Sequence, residues 1–187
     1  MALVSATGAN AQKAEIKTNM LYWATSTPNA GVEVALSPRV TLSGVIGYNA
    51  FNFPNYKNAE GTDMNPKLRH FLVMPEAKWW LCQSFDRSFF GIHGIYAMFN
   101  IGGLKLPSFT GVSDSRHQGN AYGAGISYGY QWAIAKNWGL ELSAGVGYGF
   151  LRYTKYACGA CGAKEGDYTT HYFGPTKAAV SFSYYIR

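Results

Sequence analysis

The amino-acid sequence predicts an all-β fold, an eight-stranded antiparallel up-and-down transmembrane β-barrel. Three observations lead to this prediction. Apolar side chains recur at every second residue in eight segments, which is the period of a strand and not of a helix. Long and short connections alternate between most of these segments. Charged residues make up only 14% of the chain and aromatic residues 16%, whereas soluble domains carry about 25% charged residues.

The eight predicted strands cover, in chain order, residues 15–24, 32–37, 40–49, 67–81, 88–103, 122–135, 140–153 and 177–186. The first strand alternates least clearly, and its inner face is predicted to carry Lys17, Asn19, Leu21 and Trp23. In the second and third strands, aliphatic residues alternate with Glu33, Thr41 and Ser43. In the fourth strand, Glu76 and Lys78 share the face opposite the apolar one.

The last four predicted strands carry mostly small residues opposite their apolar faces. The fifth adds His93 to this inner face, and the seventh, "LELSAGVGYGFLRY", alternates apolar residues with Glu141, Ser143 and three glycines. Glycine in a helix costs about 1 kcal/mol relative to alanine, which argues against helices here. An apolar face opposite a small and polar face fits a barrel whose outside contacts lipid and whose interior is narrow.

The connections between the strands predict the topology. The short connections cover residues 37–39, 82–87 and 136–138, and the long ones cover 50–65, 104–119 and 154–171. Transmembrane barrels have short periplasmic turns and longer external loops. The connection at 25–30 is short although it falls on the long side.

Residues 1–11 are predicted to be the remnant of a signal peptide, because small residues lead to an Ala9-Asn10-Ala11 cleavage pattern. A disordered tail is the alternative interpretation. Residues 12–187 are predicted to form a single outer-membrane β-barrel domain, since no repeat, linker or low-complexity tract divides them.

Five stretches carry a resemblance to a known family: "IKTNMLYWATSTPNAGVEVAL", "FLVMPEAKWWLC", "AYGAGISYGYQW", "YACGACG" and "YFGPTKAAVS". They sample the chain from the first predicted strand to the eighth. The sequence resembles a family of small outer-membrane barrels of Bacteroidota that is catalogued as a domain of unknown function. The resemblance implies an eight-stranded outer-membrane barrel, often encoded near fimbrial or adhesin genes, and it assigns no catalytic residues.

Six ionisable residues on the inner faces are expected to form an interior charge network: Lys17, Glu33, Glu76, Lys78, Glu141 and His93. Charges inside a narrow barrel must pair, because an unpaired buried charge is strongly destabilising. One interpretation is an ion-pair plug that holds the strands together. The other is a gated ion path, or a proton-linked site at His93. The plug is favoured, because eight strands leave no aqueous channel.

No catalytic residues are predicted, because the four histidines do not stand in a pattern that supplies a nucleophile, a base and an orienting group. The chain is therefore expected not to be an enzyme. Cys158 and Cys161 in "CGACG" are predicted to form a loop disulfide, with a redox pair or half a zinc site as alternatives. The loop has too few ligands for structural zinc, so no metal and no cofactor are expected.

The net charge of +6 comes without a basic helix or stripe, so no nucleic-acid partner is expected. Basic residues lie in or beside the long connections, where they could contact phosphates of lipopolysaccharide. The expected partners are outer-membrane lipid and lipopolysaccharide, together with an envelope or fimbrial protein. The predicted function is a non-enzymatic outer-membrane barrel whose external loops contact such a partner. A small permeation barrel and a soluble lipocalin-like carrier, with its apolar face inward, are the alternatives.

Overall fold

A computed structural model describes residues 14–52, 54, 56–57, 63–64, 67–102, 116–156 and 164–186. Its strands are β1 (Ala14–Asn19), β2 (Asn29–Ser37), β3 (Val40–Asn52), β4 (Tyr56–Lys57), β5 (Asp63–Met64), β6 (Lys67–Trp80), β7 (Arg87–Gly102), β8 (Arg116–Ala135), β9 (Trp138–Tyr156) and β10 (Lys164–Ile186). A short helix, α1 (Met20–Ala24), follows β1. No helix within these ranges has the length and apolar character needed to cross a membrane.

Eight of the strands form a closed barrel in the order β1-β10-β9-β8-β7-β6-β3-β2. Every neighbouring pair is antiparallel, and β1 closes the ring by pairing with β10. Strands β4 and β5 form a separate two-stranded sheet within the connection between β3 and β6. The predicted all-β, eight-stranded up-and-down barrel is therefore confirmed.

The two faces of the barrel wall have the polarity that the sequence pattern predicts. Outward residues are exposed, and Ile92 and Ile126 reach 69% and 64% exposure. The inner residues Thr41, Ser43 and Glu141 are buried. This arrangement does not fit the lipocalin-like alternative, because a carrier of that type needs its apolar face inside.

The prediction for the first strand is wrong beyond Asn19. Strand β1 ends there, and the Asn19 side chain accepts a hydrogen bond of 3.1 Å from the backbone N–H of Leu21. Asparagine in this capping position starts a helix, because it satisfies a backbone donor that has no partner within the helix. Leu21 and Trp23 consequently lie on α1 and are exposed, not inside the barrel.

The predicted connections at 104–119 and 154–171 are wrong in extent, because β8 begins at Arg116, β9 continues to Tyr156 and β10 begins at Lys164. Side chains pair across this extension: the rings of Tyr153 and Tyr168 stack at 5.8 Å, and the Asp167 carboxylate accepts a hydrogen bond of 2.7 Å from Thr154. Hydrogen bonds from Lys164 and Thr154 hold the pKa of Asp167 below its usual value.

Strand length rises around the barrel from 6 residues in β1 to 20 in β8, 19 in β9 and 23 in β10. The upper ends of β3 and β6 to β10 pair in one row from Asn52 to Lys164, and because the strands of a barrel are tilted, this row climbs toward β10, which continues far above its pairing with β1. Strands β8, β9 and β10 therefore reach furthest at the end that carries the long connections. We call this extension the tall wall, and we describe the barrel with the tall wall at the top and the short connections at the bottom.

Side chains close the barrel at the bottom. Trp80, Phe85, Phe89 and Tyr185 form a buried aromatic cluster. The rings of Trp80 and Phe89 lie 4.8 Å apart, and those of Phe85 and Tyr185 lie 6.3 Å apart. Phe85 comes from the turn between β6 and β7 and has a positive φ of 66°, which is uncommon for a residue with a Cβ atom. This backbone conformation accompanies a ring that is buried under the bottom opening.

The connection between β1 and β2 lies across the top of the lumen on the low side of the barrel. Thr27 is buried, and its hydroxyl lies 3.3 Å from Nε2 of His70 on β6. The Asn49 side chain on β3 donates to the carbonyl oxygens of Thr25 and Ser26 at 3.2 Å. The predicted connection at 25–30 is wrong in extent, because β2 begins at Asn29. The residues between α1 and β2 are held against inner-facing residues of the neighbouring strands β3 and β6.

Candidate functional site

Directly above the bottom aromatic cluster, four inner-facing charges from four strands come together. They are Lys17 on β1, Glu33 on β2, Lys78 on β6 and Glu141 on β9, and all four are buried. We call them the lower cluster. Each occupies one of the inward-facing positions of its strand, where every second side chain points into the lumen. A narrow eight-stranded barrel then brings opposite walls within contact distance.

The ion pairs of the lower cluster form a ring. Lys78 Nζ lies 2.7 Å from Oε2 of both Glu33 and Glu141. Lys17 Nζ lies 3.3 Å from Oε2 of Glu141 and also donates to Glu33. The second oxygens of the two carboxylates accept from hydroxyls, Glu33 from Thr41 and Glu141 from Ser143. Satisfying the remaining lone pairs in this way is what a buried ion pair needs in order to offset its desolvation.

Glu15 is a third carboxylate at this level, and the predicted charge network did not include it. It is fully buried; its Oε2 accepts a 2.7 Å hydrogen bond from Gln131, and its Oε1 lies 3.7 Å from Lys17 Nζ. Oε1 has no hydrogen-bond partner among the described residues. The sequence did contain the information needed to predict Glu15 as inward-facing, because Glu15 is two residues before Lys17 and therefore shares its face. The weak alternation of the first strand obscured it.

A second group, the upper cluster, lies higher in the lumen and contains Glu76, Lys177 and His93. Lys177 Nζ donates to both carboxylate oxygens of Glu76 at 2.7 and 2.6 Å, and Ser127 donates to the same carboxylate. Glu76 is therefore held by Lys177 and not by Lys78, its neighbour on β6. The prediction placed Glu76 in the interior without identifying this partner.

The partner comes from a β-bulge in β10, where the pairing with β9 shifts register between Pro175 and Lys177. Proline has no N–H to donate to the ladder and is tolerated in strands at such irregularities. The bulge places Thr176 and Lys177 in contact with inner residues of β7 and β6: Thr176 with His93 and Lys177 with Glu76. A bulge adds one residue to the alternation, so this double contact could not be predicted from a strict period of two.

His93 is buried and lies 2.9 Å, through Nε2, from the hydroxyl of Thr176. Cβ atoms added at Gly125 and Gly145 would each lie 2.8 Å from its ring. Glycines on the facing strands therefore make room for the imidazole. His93 makes no ion pair with the lower cluster among the described contacts, so the structure places it beside the charge network and separates it from Lys17, Glu33, Lys78 and Glu141.

The two clusters leave little free space between them. A cavity of about 20 Å³ separates them, with lining residues that include Lys17, Tyr22, Glu76 and Glu141, and this is room for about one water molecule. The carboxylate oxygens of Glu15, Glu33 and Glu141 lie within 4.8 Å of one another and could hold a metal ion. The ammonium groups of Lys17 and Lys78 already contact these oxygens and take the place of such a cation.

We expect the Glu15→Gln variant to change the free energy of unfolding by less than about 1 kcal/mol, because glutamine keeps an oxygen that accepts from Gln131. The two clusters hold three carboxylates and three ammonium groups, and Glu15 adds a fourth carboxylate, so it carries the surplus charge. Urea unfolding in detergent micelles measures this change. The matched variant Glu33→Gln, which removes a charge that two lysines share, should shift the unfolding midpoint much further. Equal shifts for the two variants would contradict this interpretation.

The predicted disulfide between Cys158 and Cys161 lies outside the described residues, as does the predicted signal-peptide remnant at 1–11. Cys82, in the bottom turn between β6 and β7, is exposed and is a free thiol.

One family model, described as "Protein of unknown function (DUF3575)", matches residues 1–186. No curated protein matches the sequence.

Proposed function

Because the chain belongs to DUF3575, a family of unknown function, we propose its role from its geometry: a non-enzymatic, non-conducting outer-membrane barrel whose top contacts a surface or envelope partner. The proposed setting is the outer membrane of a member of the Bacteroidota. The partner suggested by the family resemblance is a component of a fimbrial or adhesin assembly.

The outer surface of the barrel carries this proposal. On β9, the outward positions from Trp138 to Tyr148 are all apolar or aromatic, which gives a band 11 residues long. A tilted transmembrane strand needs about 9–11 residues. Soluble monomers rarely expose a contiguous apolar patch larger than a few hundred Å². An apolar surface that encircles the described barrel supports burial in lipid.

Aromatic residues lie at both edges of this band, where membrane barrels have interfacial girdles. At the lower edge, the Trp138 ring lies 4.9 Å from Phe182 and 5.0 Å from Tyr184. At the upper edge, Tyr96 and Tyr122 pair across neighbouring strands at 5.2 Å. Two such edges on a continuous apolar band support a membrane-spanning orientation with the tall wall outside.

The filled interior supports a structural role and disfavours the permeation alternative. The aromatic cluster closes the bottom, both charge clusters bridge opposite walls, and Tyr22 borders the small cavity between the two clusters. The inner charges bind one another, so they are not available to a passing ion. His93 is buried, and its contact among the described residues is the half-buried Thr176, so its imidazole is poorly placed to meet a substrate, which supports a non-enzymatic role.

The tall wall supports the proposed contact with a partner. Its strands extend above the apolar band, and its upper residues alternate polar and aromatic side chains, among them Thr154, Asp167 and Tyr168. Cross-strand contacts hold this extension as a sheet. A preformed sheet surface binds a partner at a lower entropic cost than a flexible loop does.

We expect the protein to fractionate with outer membranes, to resist extraction by high salt, and to migrate differently on gels before and after boiling. Ile126→Arg, at the centre of the apolar band, should reduce the recovery of folded protein from membranes, because charge at the bilayer centre is costly. Gln118→Arg, above the band on the same strand, is the matched control and should not. Release of the protein by high salt, or equal recovery of both variants in soluble form, would overturn the proposal.

Reconstituted protein should also give no stable single-channel currents in planar bilayers, because the charge clusters fill the lumen. Large, steady currents would favour the permeation function over the structural one.

A further inference from the structure

The outer face of β3, β6, β7, β8 and β9 changes from apolar to polar within two rows near the top of the proposed membrane band. The lower row, in register across the five strands, consists of Tyr48, Phe71, Met98, Asn120 and Arg152. On the last four of these strands, the next row consists of Arg69, Asn100, Gln118 and Thr154. On β6 and β7, the Arg69 guanidinium and the Asn100 amide thus stand one row above Phe71 and Met98.

A groove of about 440 Å³ lies at this boundary and is lined by residues of both rows, including Phe71, Met98, Asn100 and Asn120. A site with an apolar lower edge and a polar upper edge matches a ligand that has the same two parts. Lipid headgroups at a membrane interface are ligands of this kind.

The polar edge of the groove is suited to anions. Arg69 lines it, and Arg152 is paired with Asn120 at its border. Three strand steps of about 4.8 Å separate the two arginines, roughly 14 Å across the wall. Arg116 donates through Nε to the Asn100 side-chain oxygen at 2.8 Å, which leaves the Asn100 NH₂ group as a donor. Two guanidinium groups at this spacing fit two phosphates better than one.

A second groove, of about 770 Å³, lies lower on the same wall. Its lining includes Ala77, Ile92, Ile126, Ala144 and Val146, which are apolar and in part small. Measured along β7 toward the bottom, it lies roughly 20 Å from the first groove, since Ile92 and Met98 are six residues apart at about 3.3 Å per residue. A headgroup groove above an acyl-chain groove on one wall is the arrangement that a single lipid molecule would occupy.

We propose that this wall binds one phosphorylated glycolipid of the outer leaflet, with phosphates at Arg69 and Arg152, its sugars against the amides, and an acyl chain in the lower groove. This inference rests on the proposed membrane location. Charge complementarity selects the ligand, because guanidinium groups bind phosphate with charge-assisted and often bidentate hydrogen bonds.

Native mass spectrometry of the detergent-solubilised barrel tests the proposal, with bisphosphorylated lipid A, dephosphorylated lipid A and phosphatidylglycerol as probes. The wild-type protein should retain one bisphosphorylated lipid A and little of the other two. In the Arg69→Ala/Arg152→Ala variant, retention should fall at least tenfold, because the loss of even one charge-assisted hydrogen bond lowers affinity by about that factor. Arg39→Ala, which removes an exposed arginine at the bottom, should retain the lipid as the wild type does.

Gel migration before and after boiling, measured on the same samples, shows whether each variant is folded. The lipid site would be overturned if the folded double variant retained bisphosphorylated lipid A as well as the wild type does. It would also be overturned if the wild type retained dephosphorylated lipid A or phosphatidylglycerol as well as bisphosphorylated lipid A. Either result would leave the proposed function intact. If the double alanine variant does not fold, the Arg69→Lys/Arg152→Lys variant replaces it in the experiment. The two lysines keep the positive charge but cannot bind a phosphate in the bidentate manner of arginine. Unchanged retention of lipid A by this variant would also overturn the site. Release of the protein from membranes by high salt would instead overturn the proposed function.

Discussion

Replacing Lys78 with methionine should lower the free energy of unfolding by about 3–5 kcal/mol, the usual cost of removing one partner from a buried ion pair. The Lys78 side chain is fully buried, and it contacts the carboxylates of Glu33 and Glu141 at 2.7 Å each. Without it, Lys17 alone neutralises both carboxylates. Replacement with glutamate should be worse, because it adds a further negative charge beside Glu15, Glu33 and Glu141. Urea unfolding in detergent micelles or lipid vesicles gives the measurement.

The control for Lys78 is Lys155→Met on the tall wall, which removes an exposed ion pair of 2.9 Å to Glu165. This change should leave the unfolding midpoint where it is, because exposed pairs contribute little. The double variant Lys78→Met/Glu141→Gln should regain part of the stability, since it removes one of the carboxylates that lost a partner. A Lys78→Met midpoint equal to that of the wild type would show that water reaches the lower cluster.

Replacing Gly147 with valine should destabilise the barrel by about 1–3 kcal/mol or more, the range for overpacking an interior. A Cβ atom at this position would overlap the carbonyl oxygen of Ala124 and lie 2.6 Å from Cα of Gly125. Both neighbours belong to the backbone of β8, so no side-chain rotation can relieve the clash. The two strands would have to separate at the level of His93.

Gly44→Val is the matched control for Gly147, because a Cβ atom at Gly44 meets nothing within 4 Å. This glycine faces outward on β3, where added apolar surface fits the membrane band. We expect Gly44→Val to keep or raise the unfolding midpoint measured in vesicles. If both glycine variants lose stability equally, backbone flexibility and not interior crowding explains the effect.

Most of the barrel could be predicted from the sequence, because each wall segment in the apolar band has two different environments. Outward positions carry apolar side chains and lumen positions carry small or polar ones, so the sequence alternates with a period of two along each strand. The inner positions of Glu33, Lys78 and Glu141 follow from this parity alone. To predict which of these residues contact one another, the register of all strands around the barrel must also be known, and a local sequence pattern does not give it.

The prediction failed where that two-sided environment ends. Above the band both faces of the tall wall are polar or aromatic, so Thr154 and Asp167 were assigned to a loop although they pair across two strands. Asn19 competes for backbone hydrogen bonds and starts a helix. At Thr176, which precedes the predicted eighth strand, a bulge lets two consecutive residues contact the lumen, and strict alternation does not predict this. In each case a local hydrogen-bonding feature overrides the hydrophobic alternation.

The position of Lys17 on the first strand has a consequence for how the barrel assembles. Its partner Glu141 is 124 residues further along the chain, and β1 contacts β10 only after the last strand has been synthesised. The lower cluster therefore cannot be completed strand by strand from the N-terminus. Until the ring closes, β1 and β10 are open edges, and Lys17 has no contact with β9. Contacts between such distant residues form slowly, so the nascent chain must be kept from aggregating, and ring closure is a late and cooperative step of folding.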